Sequence, residues 1–162
     1  MLFRSYLTKG QLEQIVKLEH ALEIYWNSHK AMNALKYVTA HYSIFDFLLG
    51  LGTYFGTQKE YHKYSLTDVF DIMTQYAEIN HPTDLVLKEL IAVDYYLHFK
   101  VKPKTLFLNE VAQTEKTEII NTLKLNHHKY RFIALPLHFN YKTYMHFIKI
   151  LTIIYIHLII IN

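Results

Sequence analysis

From Leu12 to Leu97 apolar residues recur at three- and four-residue steps, and little in the chain interrupts them: the 162 residues include only 4 Gly and 3 Pro. Apolar positions at that spacing share one face of an α-helix, and scarce breakers let each helix run on. The sequence therefore predicts a mainly α fold of packed amphipathic helices. At this length a hydrophobic fraction of 51% and a charged fraction of 19% suffice for one real core, while two comfortable domains would need more chain.

Capping chemistry divides this region into elements. Thr8 and Gln11 have capping-box spacing and predict a first helix from Thr8 or Lys9. Its stripe is Leu12, Ile15, Val16, Leu22, Tyr25 and Trp26, with Glu13, Lys17 and Lys30 off it. Asn27-Ser28 reads as a break, with Ser28 positioned to cap a second helix carrying Met32, Leu35 and Val38. Ser43 and Asp46 repeat the spacing ahead of Phe45, Leu48, Leu49 and Phe55. Gly50, Gly52 and Gly56 are expected to weaken the end of that third helix, at about 1 kcal/mol each relative to Ala. After a tyrosine-rich connector holding Tyr61 and Tyr64, Ser65 and Asp68 cap a helix with Val69, Ile72, Met73 and Tyr76 on its apolar face. Pro82 suits the first turn of the next, which runs through Leu85, Val86, Leu90, Val93 and Leu97.

Beyond Pro103 the pattern changes. A basic linker, Lys100 to Lys104, leads to a short polar helix expected over Glu115 to Leu123. Arg131 to Phe139 is apolar and partly β-branched, the character of a strand. A lone strand is not stable, so it needs a partner in the C-terminal tail or outside this chain. The prediction is thus a mainly α fold with a small C-terminal β element. Its parts are a helical domain over 6–104, and the short helix and terminal strand of the same domain over 105–144.

The two ends stand apart. Residues 1–5 are unrelated to the helix behind them and match a translated sequencing adaptor, so they are expected to be an artefactual leader. The tail, 145–162, contains the apolar run Phe147 to Ile161, broken by Lys149, Thr152 and His157. That run is short for a membrane span and carries a lysine, so a membrane anchor is not expected. A buried strand or a non-native reading frame accounts for it better.

Composition excludes several function classes. The chain has no Cys, so it holds no disulfide, no thiolate zinc site and no cysteine-ligated iron–sulfur cluster. Its 17 Lys and Arg are interspersed with 14 Asp and Glu, for a net charge of +3. That mixture offers no basic stripe for nucleic acid, and the aromatic residues are expected in the core rather than on a base-stacking platform. A cytoplasmic location is expected from the cysteine content and the absence of a signal-peptide pattern.

The search for chemistry ends in weak candidates. Asp94 and His98 lie four apart on a predicted helix, as a metal-ligand pair or a carboxylate orienting a general base would. No elbow nucleophile accompanies them, and a helix hydrogen bond is the better expectation. His127, His128 and His138 flank the predicted strand, but no histidines have the His-Glu-x-x-His spacing. Gly50, Gly52 and Gly56 follow an apolar helix and not a strand, with the third glycine one position late for a dinucleotide loop. No catalytic, cofactor-binding or metal-binding residue is assigned.

One ordered set of residues resembles a known family. Residues 18–28 read Leu-Glu-His-Ala-Leu-Glu-Ile-Tyr-Trp-Asn-Ser, followed by Ala34-Leu35-Lys36-Tyr37, Ile44-Phe45-Asp46-Phe47, Asp94-Tyr95-Tyr96-Leu97-His98 and Lys102-Pro103. Together with Arg131-Phe132-Ile133-Ala134-Leu135-Pro136, this set resembles the uncharacterised C-terminal domain of cobalamin-binding radical SAM proteins. The similarity spans Tyr6 to Tyr144. It implies that the parent enzyme uses S-adenosylmethionine, a 4Fe–4S cluster and cobalamin. It further implies that the partners of this chain are the radical SAM barrel and the cobalamin-binding domain of the same polypeptide. The implied role is that of a non-catalytic accessory domain, with a free-standing helical ligand- or protein-binding module as the alternative. An accessory domain predicts an exposed apolar patch where the barrel would dock.

Overall fold

The computed structural model describes residues 7–98, 107–108, 111–122, 131–138, 150–153 and 156–161. Among them are six α-helices: α1 Lys9–Ala21, α2 Met32–His41, α3 Ile44–Gln58, α4 Leu66–Asn80, α5 Leu85–Leu97 and α6 Gln113–Thr122. Three strands follow: β1 Arg131–Pro136, β2 Ile150–Ile153 and β3 Ile156–Ile161. The fold is mainly α, as the periodicity predicts. The basic linker and His127 and His128 lie outside the described residues.

Where the caps are local, they form at the expected residues. The Thr8 side chain accepts from the Gln11 N–H and the Gln11 amide oxygen accepts from the Thr8 N–H, a complete capping box. Ser65 and Asp68 make the same reciprocal pair at the start of α4. Their donors hold the Asp68 carboxyl below its usual range. Ser43 accepts from the Asp46 N–H at 3.3 Å and starts α3.

Three local expectations change. Ser28 does not cap α2: α1 continues as a π-helical turn, Leu22–Asn27, and the Ser28 hydroxyl donates back to the Ile24 carbonyl. The chain reverses at His29, whose φ of 57° lies in the left-handed region. Pro82 sits in the turn before α5, and Asp84 is the cap, accepting from the Leu87 N–H at 3.0 Å. Leu85, read as part of the α5 stripe, is exposed. The three glycines do not end α3, which passes through them to Gln58. At Gly52 an added Cβ would lie 2.1 Å from the Lys17 carbonyl oxygen, so the glycine lets the backbones of α1 and α3 approach.

Of the helices, α5 is the most deeply buried. α1 lies along α3, α3 against α4, and α2 and α4 both against α5. Leu87, Glu89 and every residue from Leu90 to Tyr96 are buried, so α5 has no solvent face over most of its length. Large aromatic side chains fill much of the interior, including Tyr25, Phe55, Phe70, Tyr95 and Tyr96. The Tyr25 hydroxyl donates to the Val69 carbonyl at 2.9 Å, satisfying a polar group deep in the core.

The predicted strand finds its partner in the C-terminal tail. β3 pairs antiparallel with β1, Ile133 opposite Ile159 and Leu135 opposite His157, and with β2 on its other side. The sheet order is β1-β3-β2. Ile133 and Leu135, on one face of β1, and Leu137 just beyond it join the helical core. Among the described residues no helix is long and apolar enough to cross a membrane.

Candidate functional site

Asp94 and His98 serve the fold together, though not as partners. The Asp94 carboxylate is 3% exposed and accepts from the Ala34 N–H at 2.9 Å, the Asn33 N–H at 3.3 Å and the Asn33 side-chain amide at 2.5 Å. These donors belong to the first turn of α2, whose own cap residue, Ala31, has no side-chain acceptor. His98 Nε2 lies 2.8 Å from the Lys30 carbonyl oxygen, just ahead of that turn. Two residues one helical turn apart on α5 thus clamp the start of α2, and Asp94 caps it from another helix. Burial raises the Asp94 carboxyl to about 7, outweighing the donors that favour its charge. Among the described residues no three His, Asp or Glu converge on a metal position.

A second buried acid went unremarked in the sequence. Glu89, 4% exposed, accepts from the His138 N–H at 2.8 Å, and its other oxygen meets the His138 imidazole Nδ1. This pair fastens the end of β1 to α5. In the sequence, Glu89 reads as one more polar residue between apolar ones, and no local pattern marks it as buried.

The feature with binding potential is an apolar face. Leu12, Ile15 and Val16 are each 47% exposed, with Leu7 at 43% and Phe45 at 56% beside them. The sequence puts Leu12, Ile15 and Val16 on one apolar stripe with Leu22, Tyr25 and Trp26, and burial is confined to the second half of that stripe. Ala21, Ile24 and Tyr25 enter the core, whereas the first two turns of α1 stand out over α3. Single exposed leucines need no explanation, but a cluster on one face does.

Two clefts flank this ridge. One, of about 500 Å³, is lined by Leu12, Val16, Gly56 and Tyr61, with Lys9 and Lys17 beside them. Tyr61 is fixed as its wall: the hydroxyl donates to the Gly52 carbonyl at 2.8 Å, and the ring stacks on His20 at 3.9 Å. The other cleft, of about 200 Å³, lies between Ile15 and Leu18 of α1 and Phe45 and Leu49 of α3. The surface is apolar, with charge at its edge. It is suited to burying a complementary surface.

No curated protein and no solved structure matches the chain. The family described as "Protein of unknown function (DUF4080)" has a model that matches residues 1–160 of the 162, nearly the full length, and the chain belongs to that family.

Proposed function

We propose that this chain is a non-catalytic, cytoplasmic accessory domain of a cobalamin-dependent radical SAM enzyme, docking on the catalytic barrel through the apolar face of α1 and α3. The observation that carries the reading is the group of exposed side chains Leu7, Leu12, Ile15, Val16 and Phe45. If the face were covered, burying it would contribute about 25 cal/mol per Å² of apolar surface. The ordered resemblance over Tyr6 to Tyr144 supplies the identity of the covering domain.

The cofactors of such an enzyme would be held outside this chain. An iron–sulfur cluster of that kind needs three cysteine thiolates, and the chain has none, so the thiolates would come from the barrel. The alternative, a free-standing module for a small ligand, calls for an enclosed pocket with converging polar groups. The clefts along α1 are open grooves, which favours a docked surface.

The test begins with the DNA upstream of the reading frame. An in-frame Cys-x-x-x-Cys-x-x-Cys segment is expected there, and the polypeptide encoding it should bind this chain when the two are co-expressed separately. Replacing Ile15 and Val16 by Glu should abolish that binding while leaving the helical circular dichroism intact. A promoter and stop codon immediately upstream would refute the proposal, as would unimpaired binding by the double variant.

A further inference from the structure

The first turn of α3, which gives Phe45 to the apolar ridge, also forms part of a third cleft. It has a volume of about 350 Å³ and lies where the first turn of α3 meets the end of α4. Aromatic rings form its walls. Tyr42 and His81 lie 4.3 Å apart between centroids, Phe47 lies 5.8 Å from His81, and Phe47 meets Tyr76 edge to face at 5.3 Å. Ser43, Asp46 and Asn80 complete the lining, which includes no Lys or Arg.

Charge in the cleft is one-sided. Asp46 is exposed, and its carboxylate has no hydrogen-bond or ion-pair partner among the described residues. Burial raises the Tyr76 phenol, and the field of Asp46 raises it further. Tyr42 donates its hydroxyl to Asp84 at 2.6 Å. Donation to a carboxylate enriches the phenol ring in electrons and makes its face more attractive to a cation. The Asp84 charge is itself engaged by Tyr37 and the Leu87 N–H. Aromatic rings around a carboxylate with no side-chain partner among the described residues, and with few fixed hydrogen-bond donors, are suited to a weakly hydrated organic cation.

We propose that the cleft formed by Tyr42, Asp46, Phe47, Tyr76 and His81 is a binding site for an alkylammonium group. The ammonium rests against the aromatic walls with Asp46 as its counter-charge. A free amine and an ammonium-bearing side chain of a partner share this chemistry.

The probe is tetramethylammonium chloride, titrated into the isotopically labelled full chain at pH 8, where imidazoles are ordinarily neutral, with sodium chloride matched for ionic strength. Saturable amide shifts confined to residues 42–47 and 76–81 are expected, with a midpoint on the order of 10 mM. Neutral tert-butanol, of similar shape, should bind at least about fivefold more weakly, and Asp46→Asn should weaken the ammonium by a similar factor. Because the alcohol comparison uses the unaltered chain, it decides the matter even if the variant folds poorly. The absence of saturable shifts up to about 200 mM would overturn the site, and so would equal midpoints for the alcohol and the cation. If the cation binds, adding a trimethyllysine peptide and free choline in turn identifies which source is preferred.

Discussion

Replacing Asp94 by Ala removes the only side-chain acceptors at the start of α2 among the described residues, because Ala31 supplies none of its own. Losing a helix cap costs about 1 kcal/mol. Here the Ala34 N–H is also buried, and an unsatisfied buried donor adds roughly 1–3 kcal/mol. The expected loss is therefore about 2–4 kcal/mol, which for a domain of this size lowers Tm by roughly 5–15 °C. Asp94→Asn probes the charge. In the unfolded chain the carboxyl titrates near the ordinary 3.8, and in the fold near 7. Between those values the native state binds more protons than the unfolded one. The stability that this group contributes must then fall as pH rises from about 4 to about 7, by no more than about 1.4 kcal/mol per unit. Urea unfolding of both proteins across pH 4 to 8 gives the difference curve, wild type minus Asp94→Asn, in which groups common to both cancel. It should decline through that window and flatten near its upper end. An Ala variant within about 0.5 kcal/mol of wild type would refute the cross-helix cap, and a flat difference throughout would refute the upward shift of its carboxyl.

Further predictions test the packing and the surface. Gly52→Ala should destabilise by about 2–4 kcal/mol despite the better helix propensity of Ala, since its Cβ would meet the Lys17 carbonyl oxygen at 2.1 Å. Gly10→Ala, with nothing within 4 Å of the new Cβ, should stabilise by about 0.5–1 kcal/mol, and urea midpoints will show the opposite signs. Tyr25→Phe leaves the Val69 carbonyl without its tertiary donor and should cost about 1 kcal/mol in the same assay. Ile15→Glu with Val16→Glu should change stability by less than about 1 kcal/mol while lowering binding of a hydrophobic dye. A large loss of stability would mean that this face is core.

Local chemistry was legible residue by residue, whereas the sites that hold the chain together were not. Thr8–Gln11 and Ser65–Asp68 act over three residues, and the structure forms both as reciprocal pairs. Ser28 has the same residue type as Ser65, yet its hydroxyl turns back to the Ile24 carbonyl and α2 receives its cap from α5. The alternative cap lies 60 residues away, at a distance no local pattern spans. Glycine is ambiguous in the same way. In α3, Gly52 reads as a weak helix former, but opposite Lys17 it is what permits close contact.

By itself, the sequence determined the helical class, the beginnings of α1, α3 and α4, and the strand character of residues 131–136. Periodicity, capping and β-branching are properties of short segments, and they act before any tertiary contact forms. Only the tertiary structure decided which apolar stripe became interior and which became surface. An amphipathic helix presents the same pattern to a core as to a docking partner. Leu12, Ile15 and Val16 are set apart from Ile24 and Tyr25 by what the fold packs over each half of the stripe: Tyr25 reaches across to α4, while the first turns of α1 have only α3 beside them, brought close at Gly52.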